Sequence, residues 1–431
     1  MKTLVSLIAS LFLAGSAFAS TMVLPNEETI SKAADVILRG EVTDVLSIAP
    51  QGPIYTISKL KVNDIFKGVP SGSHIEIIER GGRFGDRFEV YPGVPQYKKG
   101  DDVLVFLKKV ANGRYQTLMM DVGRVPLHKG PTIAPLVPQG SGADSLKDKL
   151  RRKYLGDDHV SGFTGQPMMQ LAPAQSRLDY RFLGGNKWMT PAEIFIDPIG
   201  DAHIGSNDSI TAVSDAAKSW NGTGANIALK QIGGASDKRA FSCVPGELHV
   251  IFNDPSNQIG NPENCMGALA VGGFCGDVNG GITGGSVLFG DGWGDCWFWN
   301  VANLTEIATH ELGHAIGLAH SWEGDMGDVP HPDLEEATMF WAAHMDGRRE
   351  TIKKYDVGAV TALYGEKGTP IPTPIPTAKP KPTATPVPTE APEPEPEPTI
   401  GVGPSGCAKK NKESLTFLGW IYFQTTGEYP K

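Results

Sequence analysis

Residues 310–320 constrain the fold of this chain more than any other segment. They read His-Glu-Leu-Gly-His-Ala-Ile-Gly-Leu-Ala-His. Side chains four residues apart share one face of an α-helix, so His310 and His314 can turn their imidazoles toward one ion. Gly317 can adopt a positive φ that ends the helix, and the returning chain lets His320 supply a third nitrogen. The segment therefore predicts a metal site built at a helix end.

The ligand set predicts zinc and hydrolytic chemistry. Three nitrogen ligands leave the fourth position of a tetrahedral zinc ion open to water. Zinc lowers the pKa of that water toward about 7 and polarises a carbonyl held beside it. Glu311 is placed to accept the proton of the water and to pass it to a departing amine. We therefore expect one catalytic Zn²⁺, with Glu311 as the general base of peptide-bond hydrolysis.

This segment resembles the extended zinc motif of the metzincin metalloproteases. The stretch 337–340, Ala-Thr-Met-Phe, resembles the Met-turn of that family, which implies that Met339 forms an apolar floor under the imidazoles. Ser321 and a predicted closing helix over Tyr355–Leu363 resemble the matrixin branch. The resemblance covers residues from about 178 to 366 and implies an α+β, or α/β-layer, catalytic domain with protein or peptide substrates.

Three features depart from the family pattern. Trp341 stands two residues after Met339, where some metzincins have a ligand tyrosine, so no fifth ligand is expected. The loop between His320 and Met339 is longer than in compact matrixins and is expected to shape the substrate cleft. No cysteine precedes Cys243, so the cysteine-switch propeptide of vertebrate matrixins is missing.

The resemblance also implies a substrate edge and structural calcium. Metzincin substrates lie extended along an edge strand above the metal, and residues 266–273 are the candidate for that edge. Matrixins bind Ca²⁺, and the Asp- and Gly-rich segment 276–295 offers oxygen ligands. An ordinary Gly-rich loop is an equal alternative for the second segment.

The amino terminus and the cysteines predict export. Residues 1–19 have a basic start, an apolar run and the ending Ala17-Phe18-Ala19, which is typical of a leader cleaved after Ala19. We expect a secreted, periplasmic or cell-surface bacterial protein. Oxidising surroundings favour two disulfides, with the three possible pairings left open, among four clustered cysteines: Cys243, Cys265, Cys275 and Cys296.

Residues 20–137 predict an all-β domain. Short strands rich in β-branched residues alternate with Gly/Pro clusters, which favours a small barrel or sandwich. The stretches 34–40 and 57–68 resemble the OB-fold of netrin-like and metalloproteinase-inhibitor domains. That likeness implies contact with the catalytic domain, either as a built-in inhibitor or as a module that binds substrates or surfaces. The family's inhibitor uses an amino-terminal cysteine, whereas the expected new terminus here is Ser20.

A connector over 138–176 joins this domain to the protease-like region 177–366. A helix predicted over 144–155 carries Arg151-Arg152-Lys153, which indicates either an activation cleavage site or a solvated helix face. In the protease-like region, Asp208 or Ser209 is expected to cap a helix that ends near Trp220. A second helix is predicted over 301–317.

The carboxyl-terminal residues cannot build a core. Residues 367–404 are Pro-rich and predict a disordered, extended spacer, and the tail 405–431 carries Cys407 and a short apolar run. The tail predicts either cell-surface association through a sorting signal or an unstructured end. A net charge of −9 without a basic block argues against nucleic acid as a partner. The whole chain is therefore expected to be multidomain.

The same residues are compatible with two other functions. A non-catalytic surface-binding protein can hold zinc for stability alone, and a zinc amidase can act on the cell wall. The presence of Glu311 argues against a purely structural site, which would need no base and is usually closed by a fourth ligand.

Overall fold

A computed structural model describes residues 21–49, 52–127, 146–155, 180–322 and 332–368. The predicted leader, most of the connector, the Pro-rich spacer and the tail with Cys407 lie outside the described residues. No helix in the described ranges is long and apolar enough to cross a membrane.

The amino-terminal half of the described chain is mostly β-structure. Its elements, in chain order, are β1 (Met22–Val23), α1 (Glu27–Ala33), β2 (Val36–Ile48), β3 (Tyr55–Lys67), β4 (His74–Arg80), β5 (Gly82–Phe84), β6 (Arg87–Val90), β7 (Asp102–Lys109), β8 (Tyr115–Thr117), β9 (Arg124–Leu127) and α2 (Leu146–Leu155).

Five of these strands close into a barrel. The order is β2-β3-β4-β8-β7, and β7 pairs back with β2 in antiparallel register. Alternate residues of β2 and β7 fill the interior, including Leu38 and Val105, because successive side chains of a strand point to opposite faces. The outward residues Ile37 and Phe106 are also buried, in a second cluster that includes Leu150 of α2. The predicted small barrel is confirmed.

Helix α2 carries the basic residues of the connector. Leu150 is fully buried, and Arg151 donates to the carbonyl oxygen of Pro126 at 3.0 Å. Lys147 lies 3.2 Å from the Asp121 carboxylate. These contacts pack the helix against the barrel beside β9, while Arg152 and Lys153 are exposed. Cleavage at this helix stays a prediction.

The carboxyl-terminal half combines a mixed sheet with helices. Its elements are β10 (Lys187–Trp188), β11 (Ala192–Ile196), α3 (Ser206–Asn221), β12 (Leu229–Ala235), β13 (Glu247–Ile251), β14 (Gly267–Ala268), β15 (Ala270–Asp277), β16 (Gly281–Phe289), α4 (Val301–Ala315), α5 (Pro332–Glu335) and α6 (Lys354–Tyr364).

Strands from both halves form this sheet. The order is β12-β11-β13-β16-β15-β6-β5. The first four strands are parallel to one another, and β15 is antiparallel to both of its neighbours, β16 and β6. Helices α3 and α4 pack together through Trp220, whose indole N–H donates to the carbonyl oxygen of Thr309 at 2.8 Å. β5 and β6 belong to the stretch 20–137, and β1 of the same stretch pairs with β14, so this stretch contributes to three sheets.

Helix α3 begins earlier than the predicted cap. Its first residue is Ser206, and Gly205 takes the preceding position with φ +91°. Ser209 lies inside the first turn, where its hydroxyl donates to the carbonyl oxygen of Gly205 at 2.6 Å. The same hydroxyl accepts from the backbone N–H of Asp201 at 2.9 Å, so Ser209 ties the preceding loop to the helix. The prediction that Asp208 or Ser209 caps the helix is therefore wrong.

Candidate metal centre

Helix α4 places the first two histidines. Asn300 caps its start by accepting from the backbone N–H of Asn303 at 3.1 Å. His310 and His314 follow one turn apart on the same face, with ring centroids separated by 4.6 Å. Their Nε2 atoms lie 2.9 Å apart, so the helix alone brings two nitrogens to one point.

Gly317 brings the third histidine to the same point. The helix ends at Ala315, two residues before the predicted end, and Gly317 has φ +100°. A β-carbon at this position would overlap the carbonyl oxygen of Asn186, so both the backbone angle and the space require glycine. The chain then turns back, and the Nε2 atoms of His320 and His310 are 3.1 Å apart.

The three imidazoles form a group that can hold a metal ion. One nitrogen from each lies within 4.8 Å of the other two. Each ring is at most 2% exposed. Converging nitrogen acceptors repel one another unless protons or a cation lie between them. A borderline-soft divalent ion, such as zinc, suits a donor set of three imidazole nitrogens.

Backbone carbonyls fix which nitrogen faces the centre. The Nδ1 of His310 donates to the carbonyl oxygen of Thr338 at 2.8 Å. The Nδ1 of His314 donates to the carbonyl oxygen of Leu318 at the same distance. With the proton on Nδ1, the lone pair of each ring is on Nε2, the atom that points into the group.

Burial keeps the histidines neutral. It lowers the pKa of His310 to about 3, and the neighbouring His320 adds to this effect. The pKa values of His314 and His320 also fall well below the usual value, with burial again the largest cause. Neutral imidazole is the form that ligates a metal, so the rings are ready to bind without losing a proton at neutral pH.

Glu311 lies beside the histidines and is fully buried. Its Oε1 accepts two hydrogen bonds from Thr21, from the backbone N–H at 2.8 Å and from the hydroxyl at 2.5 Å. Its Oε2 accepts from the backbone N–H of Gly272 at 2.5 Å. Burial raises the pKa of Glu311 to about 8 even though these hydrogen bonds oppose the rise.

Met339 lies under the helix that carries the histidines. It is 1% exposed, and its sulfur is next to Gly313, on the turn between His310 and His314. The backbone N–H of Ser321 donates to the Met339 carbonyl oxygen at 2.8 Å, which ties the turn to the residue after the third histidine.

Asp356 holds this turn in place. Its Oδ2 accepts from the backbone N–H of Thr338 at 2.7 Å, and its Oδ1 accepts from that of Met339 at 3.1 Å. The Thr338 carbonyl oxygen in turn accepts from His310. The local sequence does not predict this role, because an acidic residue in the first turn of a helix is already explained by its favourable interaction with the helix dipole.

Two disulfides brace the surrounding chain, as expected. Cys243 pairs with Cys275, and Cys265 pairs with Cys296, with Cα–Cα distances of 5.8 and 5.6 Å. The first bond ties β15 to the loop before β13. The second ties the loop before β14 to the segment before α4. Paired cysteines are typical of proteins in an oxidising environment.

Calcium stays a prediction. Within the described ranges, two groups of three potential ligand atoms come together: the histidines, and Glu89 with Cys243 and Cys275. The two cysteines of the second group are bonded to each other, so they are not available as thiolates. In the segment 276–295, the Asp277 carboxylate accepts from the backbone N–H of Asn279 at 2.9 Å.

The chain has no match among protein-family models and none among curated proteins. The geometry of the site therefore carries the functional argument.

Proposed function

We propose that this chain is an exported zinc endopeptidase of the metzincin type, similar to matrixins. The single observation that carries the proposal is the convergence of three neutral imidazoles beside a buried carboxylate, that of Glu311. The glycine turn at 317 and the methionine under the helix add support, because the same parts make up the metzincin site.

His310, His314 and His320 would hold the ion through nitrogen atoms. When bound, zinc supplies Lewis acidity toward water and toward the carbonyl of a peptide bond. Nδ1–H donation from two rings to backbone carbonyls orients the ligands and increases their basicity. Met339 and Asp356 keep these rings in position without touching a substrate.

Glu311 would move the proton. Its carboxylate accepts a proton from the attacking water and donates it to the amine that leaves. A general base works best when its pKa is near the working pH, and burial moves the pKa of Glu311 to about 8. A metal held for stability alone would gain nothing from a buried carboxylate at this place.

The edge formed by β14 and β15 is the proposed binding surface for the substrate backbone. Gly272 lies on this edge, and a β-carbon there would overlap the Glu311 backbone, so the strand runs directly against α4. An extended peptide paired with this edge would lie across the carboxylate. Protein or peptide substrates follow from this main-chain mode of binding.

The test compares the wild type with Glu311→Gln. We expect both proteins to bind one zinc per chain, measured by mass spectrometry of metals, and the variant to cleave casein at least about a hundredfold more slowly. Glu193→Gln, on an exposed position of β11, is the matched control and should behave as wild type. Equal cleavage by wild type and Glu311→Gln would contradict the proposal.

Chelation and a second substrate separate the alternatives. Removal of zinc should abolish casein cleavage, and added zinc should restore it. A zinc amidase would release fragments from purified cell wall and leave casein intact. A non-catalytic surface-binding protein would cleave neither substrate, with or without Glu311.

A further inference from the structure

We propose that residues 21–23 act as a tethered, substrate-like strand that closes the candidate active site of the same chain. This inference rests on the proposed function and adds its regulation. Thr21 and Glu311 are 290 positions apart in sequence, yet they share two hydrogen bonds.

Thr21 is hydrogen-bonded to the Glu311 carboxylate, the group proposed to accept the proton. Both of its donors, the backbone N–H and the hydroxyl, point at Oε1 of Glu311. The other carboxylate oxygen, Oε2, accepts from the backbone N–H of Gly272. Three of the roughly four acceptor sites of this carboxylate are therefore taken, two of them by Thr21. Oε1 can accept a proton from a catalytic water only in the fraction of molecules in which Thr21 has left, so the wild type keeps a low basal activity.

The backbone of this strand pairs as a bound peptide would. Met22 is opposite Ala268 of β14 in antiparallel register, and the backbone N–H of Leu269 donates to the Thr21 carbonyl oxygen at 2.8 Å. On its other side, Met22 forms a parallel bridge with Ala342, three residues after Met339. The strand therefore lies between two chain segments, which is the arrangement of β-augmentation.

A second strand from the amino-terminal half covers more of the same edge. β6 pairs in antiparallel register with β15, from Val90 opposite Phe274 to Arg87 opposite Asp277. An incoming peptide would have to displace β1 near Glu311, and β6 would limit how far it could extend along β15.

The barrel anchors the strand. Met22 is 5% exposed and belongs to the apolar cluster of Ile30 and Leu150, against which Trp341 packs. Asn26 then caps α1 by accepting from the backbone N–H of Thr29 at 2.8 Å. A segment tethered on a folded domain binds as an intramolecular ligand at high effective concentration, so weak contacts suffice to keep the site closed.

Two variants of the full, zinc-loaded chain test the proposal. Thr21→Ala removes the hydroxyl donor, and Thr21→Pro removes the hydroxyl and the backbone N–H. Thr43→Ala is the matched control, since its hydroxyl bonds to the Lys59 carbonyl oxygen within the barrel. We expect cleavage of a fluorogenic peptide to rise about tenfold in Thr21→Ala and further in Thr21→Pro, with Thr43→Ala unchanged.

Amide hydrogen exchange supplies a readout that needs no catalysis. The backbone N–H groups of Leu269 and Gly272 should exchange about tenfold faster in the Thr21 variants than in the wild type. Exchange and cleavage that match the wild type in both variants would overturn the proposal and leave the protease function standing. Faster exchange in chains that all fail to cleave would support the covering strand and count against the protease function.

Discussion

Gly313 and Met339 are packed so closely that no side chain fits between them. A β-carbon on Gly313 would overlap the sulfur of Met339 and would lie 2.9 Å from the ring of Trp220. The glycine sits on the turn between two proposed metal ligands, so the position of the methionine and the position of the helix depend on each other.

Gly313→Ala should therefore disturb both the core and the metal centre. We expect the free energy of unfolding to fall by about 1–3 kcal/mol, the usual effect of overpacking. Zinc affinity should also fall, measured by competition with a chromophoric chelator. Gly72→Ala is the control, because the nearest atom to a β-carbon there is 3.8 Å away. Unchanged stability and affinity in Gly313→Ala would show that Met339 can move without cost.

Asp356→Asn should weaken zinc binding from a distance. The carboxylate accepts backbone N–H groups from Thr338 and Met339, and an amide has only one oxygen to accept them. The displaced Thr338 would then orient His310 less well, and we expect a loss of zinc affinity of about 10–100-fold. Asp215→Asn, on α3, should leave zinc binding unchanged. Full affinity in Asp356→Asn would mean that His310 needs no such support.

Glu79 should make the barrel less stable as the pH rises. Burial raises its pKa from the ordinary value of 4.5 to about 8, even though the backbone N–H of Thr117 donates to it at 2.8 Å. Between these two values the folded chain holds a proton that the unfolded chain has lost. The free energy of unfolding should thus decrease with pH in this window, by at most about 1.4 kcal/mol per unit.

The matched pair for this prediction is Glu79→Gln and Glu28→Gln. Glu79→Gln removes the titrating group, so its unfolding free energy should depend less on pH between 4.5 and 8. Glu28 is exposed on α1, and its replacement should leave the wild-type profile in place. Parallel profiles for wild type and Glu79→Gln in denaturant titrations would contradict the assignment.

The Cys265–Cys296 disulfide should stabilise the chain around β14, the strand that pairs with β1. Opening it in Cys265→Ser/Cys296→Ser releases a loop with a sequence separation of 31. The chain-entropy effect of such a loop is about 3–4 kcal/mol, and denaturant unfolding under non-reducing conditions measures it. Cys407→Ser is the control and should unfold as the wild type does. A double variant as stable as wild type would show that β14 is held by its other contacts.

Local patterns predicted much of the site. The spacing of His310 and His314 follows from helix geometry, and the positive φ of Gly317 follows from a turn that only glycine allows. The closing helix that the sequence predicts over 355–363 spans Lys354–Tyr364. The segment 266–273, predicted as one edge, is split into β14 and β15 at Leu269, and its binding to a substrate stays a prediction. Side-chain patterns do not show such a break when both pieces are buried.

The sequence by itself determined which residues form the metal group, since a helix turn and one glycine place all three histidines within eleven positions. Only the tertiary structure decided what surrounds them. Segments that are distant along the chain meet where Thr21 bonds to Glu311, where Asp356 accepts from the backbone N–H of Thr338, and where the cysteines pair. Such contacts depend on how the barrel and the sheet pack against each other, and local periodicity carries no information about that packing.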